Sequence, residues 1–429
     1  MSAPPRSQLV ESAPSDEVRT GAAPRVFAWG FIAQVFSSAT NFSLTLIAGR
    51  LLGPAGLGVV VVGFGAYAFV AGLQRAMVMQ PIVADAAPRR GAERRRLAES
   101  GLTVVAYSGM VATFLVAGVG LGVGGQVGRG LLVFAPWLIA ALLQEYWKTI
   151  LFQEGRGAAG AASDCVRFSI MALSLPVALV WRHDYVVVGG WGLGAAAGLA
   201  VGIACFPGRP ERLHAAFAAW RERAWGLGRW LAAREVIYQL FTYSTVLMLA
   251  VILGTDGLGG LRSAEALFSP FSLVAAALVL PALPALSRSA AVSHRRALNL
   301  AFRICAVAVG FGLTYMVVMA FVGPWLLVHL FGDSFSPFTD LVWPMAAVQV
   351  LNAAGVAFTL LLLAEKRGPA SLVAGVAASA GTIACATGFA LAYGVHGAAW
   401  GMAAGSGVGS LAVIYLALRK RLDPGETAR

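Results

Sequence analysis

Long apolar runs broken by short polar or glycine-rich stretches define this chain. Twelve such runs fall at roughly 26–50, 59–80, 101–123, 130–153, 164–182, 185–205, 233–254, 262–285, 297–322, 340–363, 370–392 and 395–418. Each is long enough to cross about 30 Å of hydrocarbon as a helix at 1.5 Å per residue. The pattern therefore predicts an all-α polytopic membrane protein. Between the sixth and seventh runs lies a different pattern. Leu213, Phe217, Trp220, Ala224, Leu227 and Leu231 recur at steps of four and three, beside Arg212, Arg221 and Arg223. That is one apolar face on a basic helix, expected to lie in the cytoplasmic interface and link two halves.

The two halves repeat each other. Gly49–Gly58 separates the first two runs, and Leu253–Gly259 separates the seventh and eighth. Gly53 matches Gly254, Gly56 matches Gly257 and Gly58 matches Gly259. Further along, Pro81 matches Pro281, Glu154-Gly155-Arg156 matches Glu365-Lys366-Arg367, and Trp191 matches Trp400. The expected architecture is two pseudo-symmetric six-helix bundles around a central cavity, related by an axis along the membrane normal. Its parts are a tail over 1–25, a bundle over 26–205, a linker over 206–232, a second bundle over 233–419 and a tail over 420–429. The first tail, polar and rich in Ser and Pro, is expected to be disordered, with the first span directing insertion.

Composition agrees. Of 429 residues, 58% are hydrophobic and 12% charged, against about 25% charged in soluble domains. The net charge of +12 fits membrane topology better than nucleic-acid binding. Arg89, Arg90, Arg94, Arg95, Arg96, Arg156 and Arg167 fall on one predicted side, as do the basic residues of 209–234, 288–303, 366–367 and 419–421. The opposite loops hold Arg50, Arg129, Arg182 and Arg262. The positive-inside rule then places both termini in the cytoplasm. The four cysteines are single, the histidines lack metal-ligand spacing, and no nucleotide loop or nucleophile–histidine pair appears. An enzyme, a cofactor and a metal site are not expected.

Polarity inside the spans carries the chemistry. Gln34, Ser38, Asn41 and Thr45 share one face of the first span. The repeat places Glu235, Gln239, Thr242 and Val246 at the matching positions of the seventh. Such stripes either line a cavity or tie helices together by hydrogen bonds. Arg50, Arg75, Arg234 and Arg262 either line the cavity as anion forks or snorkel to the interface. Arg262 has Glu265 three residues on, a possible internal pair. Glu145, buried in the fourth span, is a coupling-ion candidate, with a Glu145–Lys148 pair as the structural alternative. Glu235 and Glu265 are the other acidic candidates.

The turn Gly49–Gly58, the segment Leu330-Phe331-Gly332-Asp333-Ser334-Phe335 and Leu363-Ala364-Glu365-Lys366 resemble those of the polysaccharide-transporter family of O-antigen and exopolysaccharide flippases. That family belongs to the MOP superfamily, with the MATE exporters and the lipid II flippases. The resemblance implies alternating access in a bacterial inner membrane. The implied cargo is a polyprenyl-pyrophosphate-linked oligosaccharide, with a polysaccharide polymerase and chain-length proteins as partners beside the membrane lipids. It also implies that Arg50, Arg75, Arg234 and Arg262 approach the cavity with Gln34, Asn41, Gln239 and Thr242 as substrate contacts. A MATE-like cation-coupled drug or metabolite antiporter is the alternative. An integral-membrane acyl- or glycosyltransferase is a more distant one.

Overall fold

The computed structural model describes residues 16–82, 91–208, 210–223, 225–365 and 367–419. The side chains of 16–27, 226–228, 230–234, 272–281, 283 and 284 lie outside the description, among a few others. Arg89, Arg90, Arg209, Ala224, Lys366, the tail from 420 and the side chains of Leu227, Leu231 and Arg234 therefore fall outside it.

The described residues are helical almost throughout. The helices are α1 Asp16–Gln74, α2 Gly91–Val123, α3 Gly125–Gln153, α4 Gly157–Leu173, α5 Leu175–Trp181 and α6 Asp184–Cys205. They continue as α7 Leu213–Arg223, α8 Trp225–Ala266, α9 Ser269–Val292, α10 His294–Phe331, α11 Val342–Ala364 and α12 Gly368–Leu418. Residues 16–25, expected as tail, belong to α1. Among the described residues, nine helical stretches are long and apolar enough to cross a membrane, as in a multi-pass membrane protein.

Three of those stretches are broken inside. In α1 the break is Gly53, at φ 69° and ψ −172°. In α8 it is Gly254, at φ 70° and ψ 177°. The left-handed φ costs a non-glycine residue about 1–2 kcal/mol. The same conformation at both repeat positions gives the sequence repeat a structural counterpart. So do Glu154 and Glu365, which end α3 and α11 at φ −78° and −83°. α12 turns at Tyr393 and Gly394. There Gly397, Gly401, Gly405 and Gly409 face Phe389, Cys385, Thr382 and Ala378 in descending order, so α12 is an antiparallel hairpin.

The two halves meet where α1 crosses α8. A Cβ on Gly58 would overlap the Thr255 carbonyl, and one on Gly259 would overlap the Pro54 carbonyl. Farther along the same crossing, Gly65 faces Tyr243, and Gly72 faces Gln239 and Glu235. Close backbone approach of this kind is how helices gain contact when lipid is as apolar as leucine. Around it one buried cluster joins Leu44, Leu57 and Phe134 of the first half to Leu249, Leu258, Phe331 and Phe335 of the second. At the opposite end the cores separate. Val78, Ile82, Tyr146 and Trp147 form one cluster, and Leu286, Phe358, Leu361 and Val413 form another. The halves share one buried cluster about the Gly53 and Gly254 turns, carry separate clusters toward their basic ends, and stay in contact along α1 and α8 as far as Gly72 against Gln239 and Glu235.

In the expected linker, α7 packs on α2, with Ala216 fully buried. Trp220 Nε1 donates to the Met77 carbonyl at 3.0 Å, while Leu213 and Phe217 stay exposed. Arg167, expected in a basic loop, is buried inside α4 instead.

Gly58→Ala should cost about 1–3 kcal/mol by overpacking the crossing. Gly118→Ala, with open space around it, should be neutral or stabilising by up to about 1 kcal/mol. Thermal unfolding of the two variants in detergent checks the contrast.

Candidate functional site

The polar face of α1 meets the second half at a cavity of about 270 Å³. It is lined by Gln34, Ser38, Asn41 and Thr45 of α1, Arg262 and Glu265 of α8, Ser269 of α9 and Gln349 of α11, with Phe42 and Ala266. The bonds within the α1 stripe are local. Gln34 Nε2 donates to Ser38 Oγ at 3.2 Å, and Thr45 Oγ1 donates to the Asn41 carbonyl at 3.0 Å. The side chains of Asn41 and Gln349 make no hydrogen bond among the described residues. The stripe thus faces the cavity and does not fasten α1 to a neighbour. Gln74 does the fastening, at the residue just before the π-helical segment Arg75–Met79. It donates to the Val105 carbonyl and to Ser108 Oγ of α2, at 3.2 and 2.8 Å.

Charge in the cavity is balanced. Arg262 Nη1 donates to Glu265 Oε2 at 2.8 Å, with both side chains part-exposed. This i, i+3 pair supplies donors and acceptors side by side without a net field.

Arg75 lies elsewhere, at the start of that π-turn, a distortion frequent at functional sites. Its Nη2 donates to Glu145 Oε1 at 2.5 Å, and Tyr67 Oη donates to Glu145 Oε2 at 3.4 Å. Glu235 lies within electrostatic reach of Arg75 and accepts from Gln239 Nε2 at 2.9 Å. Thr242 Oγ1 donates back to the Tyr238 carbonyl of its own helix. Glu235 and Gln239 of the α8 stripe therefore face Gly72 at the α1 crossing, Thr242 is exposed, and of the two stripes only that of α1 lines the cavity. Symmetry in sequence has not produced symmetry in use.

Arg50 sits beside the Gly53 turn, where Nη1 donates to the His329 carbonyl at 3.1 Å. It borders a separate cleft of about 490 Å³ with Trp325, His329, Asp333 and Ser334. Arg50, Arg75 and Arg262 thus occupy three places and do not converge. The backbone at Arg234 is helical, and its side chain is outside the description.

One polar group has no counterpart in the sequence reading. Asp164, fully buried in α4, pairs with Lys148 Nζ at 3.2 Å and accepts from Gln144 Nε2 at 3.0 Å. Gln144 Oε1 accepts from Arg167 Nη1 at 3.0 Å. The Arg167 guanidinium lies 4.9 Å over the Trp191 ring. Lys148 therefore serves Asp164, and Glu145 serves Arg75, so the expected Glu145–Lys148 alternative does not form. The signal in the sequence was an aspartate and an arginine three apart in an apolar run, hidden by the run's early helical start.

No protein-family model matches the chain, and no curated protein matches it. Solved structures do. The lipid II flippase MurJ in an inward closed conformation is 13% identical, with TM-score 0.71, covering 91% of this chain and 87% of that one. A multidrug resistance MATE family transporter of the MOP superfamily in an inward-facing conformation is 14% identical, with TM-score 0.72, covering 88% and 93%. An outward-facing structure described in the same terms gives TM-score 0.54 at 13% identity, covering 92% and 94%. At these identities the likeness shows that the chain shares the fold of these transporter structures.

Glu145 has a side chain 15% exposed, against 49% for Arg75. Arg75→Ala should lower stability by about 1–2 kcal/mol, chiefly by leaving that carboxylate unpaired. Arg75→Ala/Glu145→Gln should recover most of it. Thermal unfolding of the single and double variants at neutral pH measures the recovery.

Proposed function

We propose that the chain is a flippase of a bacterial inner membrane, with twelve spans in two six-helix halves and both termini cytoplasmic. Its cargo is a polyprenyl-pyrophosphate-linked oligosaccharide, an O-antigen or exopolysaccharide repeat unit, turned outward by alternating access. A polysaccharide polymerase and chain-length proteins act beside it. The observation that carries the reading is the cavity between the halves, whose Asn41 and Gln349 amides have no hydrogen-bond partner among the described residues. Free amides beside hydroxyls and a paired Arg262–Glu265 match sugar hydroxyls, each of which both donates and accepts. A volume of about 270 Å³ is near the low end of small-molecule sites, which start at about 300 Å³. It admits part of a glycan, with the lipid tail left in the bilayer.

The pyrophosphate needs a cation. Arg262 supplies one by exchanging Glu265 for a phosphate oxygen, a bidentate match for its guanidinium. Arg75 and Arg50 serve before and after that step, one toward the basic ends and one beside the Gly53 turn. Glu145, Glu235 and Glu265 are the carboxylates through which an ion gradient acts in this scheme. The lipid-linked cargo named for the MurJ structure supports this direction. A cation-coupled antiporter is the second reading. The likeness to a multidrug resistance MATE transporter and the buried Asp164–Lys148 pair favour it.

Asn41→Leu and Gln349→Leu each remove one polar partner at nearly constant volume. In proteoliposomes carrying a lipid-linked oligosaccharide, each should slow translocation about tenfold, the equivalent of ~1.4 kcal/mol. Wild-type rates in both variants, or efflux of cationic drugs with no movement of the glycolipid, would sink the flippase reading.

A further inference from the structure

The elbow between α9 and α10 carries a further cavity, of about 450 Å³, at the basic end of the second half. Ser289 and Ser293 approach it from the α9 side, and Arg295, Arg296, Asn299 and Arg303 from α10. Arg296, Asn299 and Arg303 fall at i, i+3 and i+7, so α10 presents them on one face. Ser293 Oγ accepts from the Arg296 backbone N–H at 3.2 Å and fixes the elbow. Three guanidinium groups around one cavity repel each other, and no described carboxylate pairs with them. The neighbouring acid, Glu365, is engaged by His294 Nδ1 at 2.5 Å and by Arg367 at 3.7 Å.

The first half shows what a self-sufficient version looks like. The repeat matches Arg94-Arg95 to Arg295-Arg296. Arg95 Nε pairs with Glu99 Oε1 at 3.1 Å, and Arg95 Nη2 donates to the Pro207 carbonyl at 2.8 Å. In the second half Leu300 stands at the Glu99 position, and no described carboxylate takes the place of that acid beside Arg296. Beside the cavity, Val292, Phe302 and Val307 are exposed apolar side chains. Charge that faces a cavity and grades into an apolar surface fits an amphiphile. A free anion has no use for the apolar part.

We propose that this elbow is a binding site for the phosphodiester headgroup of an anionic phospholipid of the leaflet at the basic end. Arg295, Arg296 and Arg303 hold the phosphate oxygens, and Ser289, Ser293 and Asn299 hydrogen-bond the headgroup. The acyl chains run along Phe302 and Val307. The site is separate from the cavity between the halves and does not depend on what that cavity carries.

The test uses the full-length protein in detergent, titrated with phosphatidylglycerol, phosphatidylcholine or inorganic phosphate, and read by native mass spectrometry and thermal midpoint. Phosphatidylglycerol should bind wild type and raise its midpoint, while phosphatidylcholine and phosphate should not. Arg295→Gln/Arg296→Gln/Arg303→Gln should weaken phosphatidylglycerol binding at least tenfold. Arg212→Gln/Arg221→Gln/Arg419→Gln, which removes the same charge elsewhere, should bind as wild type does. Asn299→Glu, which places an acid among the three arginines, should weaken binding with the fold intact. The proposal is overturned if phosphate protects as well as the lipid does, or if the control triple loses as much as the site triple. Unchanged binding in Asn299→Glu overturns it too.

Discussion

Everything in this molecule depends on two helices approaching backbone to backbone. At Gly58 against Thr255 and Gly259 against Pro54, α1 and α8 come closer than any side chain allows. In a bilayer the hydrophobic effect gives helices no reason to associate, so packing and hydrogen bonds must supply it. The Gly53 and Gly254 turns aim the chain into that crossing from both halves. The shared apolar cluster closes over it, and each half carries its own cluster at the far end. A cavity between them is the geometric consequence.

Polar groups in the spans are then sorted by whether they find partners. Gln74 through its amide nitrogen, Arg75 with Glu145, and Asp164 with Lys148 and Gln144 find partners within the first half. In the α8 stripe Gln239 bonds Glu235 and Thr242 bonds its own helix. Asn41 and Gln349 are left over, and they face the same space. An unmatched amide in a membrane protein is costly unless water or a ligand completes it. That cost is the physical reason to place binding there.

The sequence was most informative where glycine, proline and charge punctuate it. Gly53 and Gly254 were legible as matched turns because positive φ leaves few alternatives to glycine. The apolar runs located the helices, although several begin earlier than hydropathy marks, α4 at Gly157 and α10 at His294. The α1 stripe was legible because one face of one helix suffices to state it. Its partners were not, since Arg262, Ser269 and Gln349 come from three helices whose packing no periodicity encodes. Arg75 and Glu145 looked like separate candidates for the same reason, being 70 residues apart and joined only by the packing of α1 on α3. The repeat misled at the α8 stripe, because the matching residues serve different surfaces in the two halves.

The central claim is that the α1–α8 crossing holds the halves together and must loosen for cargo to leave. A disulfide across it tests this most directly. In a chain with Cys165, Cys205, Cys305 and Cys385 replaced by serine, Gly65→Cys/Val246→Cys places thiols across the crossing, where Gly65 lies against Val246. Oxidation should stop glycolipid translocation in proteoliposomes, and reductant should restore it. Full translocation with the crossing quantitatively cross-linked would contradict the account.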